Sequence, residues 1–184
     1  MKIKKSTNSL SIEISKAKAV LPLNILKYKH DKETDIVLLN RPVDDDFGAS
    51  LVISSPGEYE KNDIFVFAFS LGGIDNDAFS IDADGMNVLI FNSSADVTNL
   101  LDNDDISENN ILICNYDGTL GRINDVIDEL EPNIFILTGH DGAALEEVVK
   151  KLSLSTGETQ NSVSYGEDDF SEENERPMQI VLLK

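Results

Sequence analysis

Hydrophobic and polar positions alternate near the start of the chain. Leu10, Ile12 and Ile14 fall on one side of an extended backbone and Ser9, Ser11 and Glu13 on the other, which predicts a half-buried strand. "KAVLPLN" (18–24) predicts a second short strand stopped by Pro22. "TDIVLL" (34–39) and "IFVFAF" (64–69) are short, continuously apolar and rich in β-formers, so they predict strands buried on both faces. Between them, three consecutive aspartates, Asp44 to Asp46, read as a loop, and "PGEYE" (56–60) reads as a turn fixed by Pro-Gly, with Tyr59 packing its ring. "AFSIDADGMNVLIFN" (78–92) predicts a hairpin turning at Asp84-Gly85, and "NILICN" (110–115) a further buried strand.

The period then lengthens. Ile123, Val126, Ile127 and Leu130 recur at i, i+3, i+4 and i+7, one face of a helix, with Pro132 just beyond its end. "NIFILTG" (133–139) predicts a strand. Leu145, Val148, Val149 and Leu152 predict a second helix, with Asp141 as its N-cap and Lys150 and Lys151 near its C-terminus, where cations suit the helix dipole. "YGEDDFSEENERP" (165–177) holds six acids and one arginine and reads as a mobile acidic loop, and "MQIVLL" (178–183) closes the chain as a strand. Many strands followed by strand–helix–strand–helix–strand predict an α/β fold with a mixed sheet covered by helices. In such sheets sites lie at the carboxyl ends of strands. No internal repeat at a solenoid period is present.

Length and composition narrow the class. With 184 residues, the expectation is one domain spanning 1–184, and 41% hydrophobic residues suffice for a packed core. There is no apolar run near the ~20 residues that span a bilayer. The basic start leads into a strand pattern rather than a signal peptide, so the expected compartment is the cytoplasm. The one cysteine, Cys114, sits in an apolar run and reads as a buried inert thiol. Fifteen Lys and Arg against 34 Asp and Glu give a net charge of −19, which argues against nucleic acid or anionic lipid as partners and leaves two readings, a plainly solvated acidic surface or one that suits a basic protein partner.

The stretches "DIVLL", "LVISSPGEYEKNDIFVFAF", "NDAFSIDADGMNVLIFN" and "DELEPNIFILTGH" resemble the metallo-β-lactamase fold, over residues 1 to 150 in the right order. The likeness is to the branch of metal-dependent hydrolases related to ascorbate-6-phosphate lactonase. It implies an αββα sandwich, two mixed sheets between helices, with one or two metal ions held at strand ends by histidines and aspartates. There a metal-bound hydroxide attacks the substrate, because the ion lowers the pKa of its water to about 7.

The resemblance also shows what is missing. The family's His-x-His-x-Asp-His motif falls on Arg41, Val43, Asp45 and Asp46, so only its aspartate, Asp45, matches. Its His-Leu-Gly-Asp motif falls on Ser93 to Asp96 and keeps only Asp96. A final histidine matches His140, and a Gly-His-Ser stretch falls on Ser6-Thr7-Asn8. The only other histidine, His30, lies in the charged "KYKHDK", away from these motifs. Arg41 puts a cation where a ligand is expected. At 4 Å and an effective dielectric near 20 a like-charge pair costs about 4 kcal/mol. Arg41 can instead pair with Asp45 or Asp46 and hold the loop shut.

Three functions follow. The first is a degenerate, non-catalytic member of the fold that binds or scaffolds. It needs no cofactor, and Arg41, Asp45, Asp46, Ser93, Asp96 and His140 form its vestigial site. The second is a metal-dependent hydrolase of small phosphorylated or lactone-like substrates, holding Mn, Mg or Zn through Asp45, Asp96 and His140. The third is an acidic module binding a basic partner through 165–176 and "LDNDDISEN" (101–109). Each residue also has a plainer reading: Asp44–Asp46 as a solvated loop, Asp96 as a helix N-cap, His140 as a hydrogen-bonded structural histidine. Ser93 and Ser94 have no nucleophile-elbow sequence around them.

Overall fold

The computed structural model describes residues 1–184 except 15–16, 24–26, 30, 45–46, 71–76, 102–105, 107–109, 140–141, 156 and 171–176, and except the side chains of 97, 99 and 142–144. Two mixed sheets stack face to face. The first half of the chain supplies β1 (Lys2–Lys5), β2 (Ser9–Ile14), β3 (Ala17–Pro22), β4 (Ile36–Leu38) and β5 (Leu51–Ile53), which with β13 (Ser162–Ser164) form a six-stranded sheet in the order β13-β1-β2-β3-β4-β5. The eight-stranded sheet begins with β6 (Gly57–Lys61), β7 (Ile64–Phe69), β8 (Ala78–Ala83) and β9 (Met86–Asn92). It continues through β10 (Ile111–Tyr116), β11 (Ile134–Gly139), β12 (Glu158–Gln160) and β14 (Gln179–Leu183), in the order β12-β14-β11-β10-β9-β8-β7-β6. Three helices, α1 (Val97–Leu101), α2 (Ile123–Leu130) and α3 (Gly142–Lys151), lie on its outer face.

Period-two alternation sorts the side chains into two cores. Ile3, Leu10, Ile12, Leu21, Ile36 and Leu38 meet Val66, Ile81, Ile90, Ile113, Ile136 and Val181 between the sheets. The opposite faces of β9, β10, β11 and β14 bury Phe91, Leu112, Phe135 and Leu182 against Ile123, Val126, Leu145 and Val148 of the helices. The parallel strands are thus apolar on both faces because both faces are covered. The α2 helix ends where Glu131 turns left-handed (φ 41°) ahead of Pro132, and the Glu131 amide still bonds the Ile127 carbonyl at 3.0 Å.

Two expectations change. "IFVFAF" is not buried on both faces. Ile64 and Val66 face the inner core, but Phe65 is 45% exposed, because the helical cover reaches Phe69 and gives out along β7. "PGEYE" is not a turn: Gly57–Lys61 is the edge strand β6, and the turn is Asn62-Asp63, both at positive φ, as a two-residue hairpin requires. Tyr59 does pack against the inner core, and its hydroxyl donates to the Ser55 carbonyl at 2.9 Å. The acidic stretch at 165–177 is described as far as Phe170. There a short 3-10 helix (Glu167–Phe170) brings the Phe170 ring to 6.1 Å from Tyr165, and both rest on the inner core. Strands β1, β12 and β13 had no clear sequence signal, since each carries one apolar residue or none among polar ones. The Asp84-Gly85 turn is as expected, with both residues at positive φ.

Phe135→Ala is expected to cost about 3–5 kcal/mol in urea denaturation, since it empties a fully buried site between β11 and the helices. Phe65→Ala is expected to change stability by no more than about 0.5 kcal/mol.

Candidate functional site

Strands β9, β10, β11 and β14 run parallel, so their carboxyl ends open on one edge of the sheet. Register sets Asn92 beside Asn115, Asn115 beside Thr138, and Tyr116 beside Gly139. The loops that leave these ends carry the polar groups that a site in this fold class would use.

Ser93 follows β9 directly and is fully buried. Its hydroxyl donates to Asp117 Oδ1 at 3.0 Å and accepts the Asp117 amide at 3.1 Å, while its own amide bonds the Asn115 carbonyl at 3.0 Å. Ser94 adds its hydroxyl and its amide (3.2 Å) to Asp117 Oδ2, and the Thr119 amide reaches Oδ1 at 3.2 Å. Asp117 therefore clamps the end of β9 to the end of β10. Burial works to raise its carboxyl, but the hydroxyls of Ser94 and Ser93 and the amides of Thr119 and Ser94 outweigh it and hold Asp117 below the usual carboxylate range. Gly121 closes the loop. It sits at φ +51°, and a Cβ there would lie 2.1 Å from the Ser93 carbonyl oxygen.

Asp96 Oδ1 accepts the Thr98 amide at 3.1 Å, the N-cap role anticipated for it. Arg122, at the start of α2, donates to Thr98 Oγ1 at 2.8 Å and pairs with Asp125, tying α1 to α2. Asn115 donates from Nδ2 to Asn92 Oδ1 at 2.9 Å, which leaves its own buried Oδ1 without a partner among the described residues. Arg41 is exposed, as is Asp44. Asp45, Asp46 and His140 lie outside the described residues, and so does the Asp141 cap.

Two groups escaped the sequence reading. Asp117 was passed over because Asp-Gly after a strand reads as a turn. Lys5 belongs to a run that reads only as a basic start. Yet β1 alternates, and Ile3 faces the inner core, so Lys5 faces inward two residues later. Its ammonium crosses from the six-stranded sheet and donates to the Gly139 carbonyl, at the last residue of β11. Lys5 thus sets a cation at the end of β11.

No family model and no curated protein matches this chain in sequence. Solved structures do match it. A candidate Zn-dependent hydrolase of the metallo-β-lactamase superfamily from Thermotoga maritima superposes on 100% of this chain and 99% of its own, with a TM-score of 0.68 at 17% identity. The metallo-β-lactamase fold protein YhfI from Bacillus subtilis covers 83% of this chain and 91% of its own, with a TM-score of 0.57 at 10% identity. A candidate metal-dependent hydrolase from Veillonella parvula covers 89% and 98%, with a TM-score of 0.55 at 11% identity. This chain has the metallo-β-lactamase fold.

The metal that this fold implies finds poor donors in the described part of the site. Asp96 is engaged with a helix N-terminus and Ser93 with Asp117. Among the described residues no group of three His, Cys, Asp or Glu side chains is placed to hold an ion. Among them, too, no helix is long and apolar enough to cross a membrane. Cys114, fully buried in β10, has its thiol pushed up, first by burial and then by the Asp117 charge.

Asp117→Ala is expected to cost about 1–3 kcal/mol at neutral pH, because it strands the buried Ser93 hydroxyl. A carboxyl held low by the fold stabilises it above its unfolded value of about 3.9 and loses that effect as pH falls through its folded value. The gap between variant and wild type should therefore close below about pH 4 in urea titrations. A thiol reagent at neutral pH is expected to label Cys114 only once denaturant has opened the fold; rapid labelling of native protein would contradict its burial.

Proposed function

We propose that this chain is a non-catalytic protein of the metallo-β-lactamase fold, a degenerate relative of the ascorbate-6-phosphate lactonase branch that serves as a binding or scaffolding protein. One observation carries the reading. The polar groups at the strand ends are spent on one another and on the backbone: Ser93 and Ser94 on Asp117, Asp96 on α1, Lys5 on Gly139. A catalytic metal needs donors with free lone pairs and an open coordination position. Here the hydroxyl and carboxylate donors close the loops, and a fixed ammonium adds repulsion toward a divalent ion. The cytoplasm suits such a chain, whose one thiol is buried and takes no disulfide partner.

The alternative, a metal-dependent hydrolase of small phosphorylated or lactone-like substrates, rests on Asp45, Asp96 and His140, of which Asp96 already caps α1 through Oδ1. Elemental analysis after purification and melting curves with Mn²⁺, Mg²⁺ and Zn²⁺ separate the two. The expected result is substoichiometric metal and no shift with any ion. An ion binding only the folded state would add about 2.7 kcal/mol at 100 times its dissociation constant. Near-stoichiometric metal that disappears in His140→Ala would establish the alternative. An Asp96→Ala variant cannot make that distinction, because losing the cap alone costs about 1 kcal/mol.

A further inference from the structure

The charge of −19 is unevenly spread. Residues 1–32 hold eight of the fifteen Lys and Arg and only two acids, Glu13 and Asp31; the remainder holds seven against 32. Alternation in β1, β2 and β3 then sorts this basic segment. Ile3, Leu10, Ile12 and Leu21 enter the inner core, while Lys4, Ser11 and Lys18 point to the outer face of the six-stranded sheet. That face meets the segment carrying Tyr28, Lys29, Asp31 and Thr34, and a cavity of about 190 Å³ lies between them.

The lining is cationic and rich in hydroxyls. Lys4, Lys18 and Lys29 surround it, with Ser6, Ser9 and Ser11 alongside. Its two acids are already engaged. Asp31 takes the Lys18 ammonium on Oδ2 at 2.8 Å and the Glu33 amide on Oδ1 at 3.2 Å, and Glu13 faces Lys2 at 3.9 Å. Thr34 is only 4% exposed and lines the cavity, yet its hydroxyl has no hydrogen-bond partner among the described residues. The Tyr28 hydroxyl, buried in the same lining, has none among them either. A buried hydroxyl without a partner is destabilising, and two beside one cavity are donors that an incoming acceptor satisfies.

We propose that this cavity binds a small phosphate oxyanion, either inorganic phosphate or the terminal phosphate of a small monoester. The Thr34 and Tyr28 hydroxyls donate to its oxygens, and Lys4 and Lys29, neither of them held by Asp31, balance its charge. A tetrahedral dianion offers several acceptors within a small volume and gains most from donors that are charged or cut off from water. The cavity lies on the outer face of the six-stranded sheet and is lined by none of the residues of the strand-end network, so this inference does not rest on whether the old hydrolase site is inert.

Phosphorus NMR titration and melting curves at constant ionic strength test it, with inorganic phosphate in one arm and glycerol 3-phosphate in the other. The expected result is saturable binding in at least one arm; stronger binding of glycerol 3-phosphate identifies a monoester as the ligand, and stronger binding of inorganic phosphate the free ion. Lys29→Met, on the exposed rim, is expected to weaken binding roughly 10- to 100-fold, the loss of one charge-assisted hydrogen bond. Thr34→Val should weaken binding too, while leaving the ligand-free melting temperature unchanged or higher, since it removes an unpaired hydroxyl. Lys150→Met on α3 should bind as wild type does. No saturable binding in either arm, or equal binding by wild type and Lys29→Met, would overturn the proposal.

Discussion

Covering both faces of the parallel strands is the constraint on which the rest of the structure depends. Strands β9, β10, β11 and β14 carry large apolar side chains on each side. Ile113 and Ile136 look toward the second sheet, Leu112 and Phe135 toward the helices. At about 25 cal/mol per Å² of apolar surface, neither face can be left to water. A second sheet on one side and helices on the other is the solution, and it forces the crossovers that bring four strand ends to one edge. Where the cover stops, the pattern relaxes, and Phe65 on β7 is open to solvent.

At that edge the described polar groups bond to one another and to the backbone. Asp117 spans two strand ends, with its charge stabilised by two hydroxyls and two amides. Lys5 arrives from the opposite sheet. Such a network rigidifies the loops it joins, because each satisfied buried donor fixes the chain that carries it. The outer face of the six-stranded sheet is the converse case, with the Thr34 and Tyr28 hydroxyls buried and without a partner among the described residues.

Much of the fold was legible from residues alone. The apolar runs of β10 and β11, the Asp84-Gly85 hairpin and the helical stripe of Ile123, Val126 and Ile127 each state a period that only one backbone geometry satisfies. The edges were less legible. A strand such as β6, reading Gly-Glu-Tyr-Glu-Lys, has little apolar pattern to announce it, since ladder hydrogen bonds to β7 rather than burial define it. At the site, the cap at Asp96 was readable because capping is local.

Local periodicity, turn chemistry and the shortage of histidines were thus determined by the sequence itself, because each depends on residues a few positions apart. Only the tertiary structure decided that Lys5 meets Gly139, that Ser93 is clamped by Asp117, and that Lys4, Lys18 and Thr34 line one cavity. Those contacts join residues distant along the chain, and their partners are selected by the register of strands and the stacking of two sheets, which no local pattern encodes.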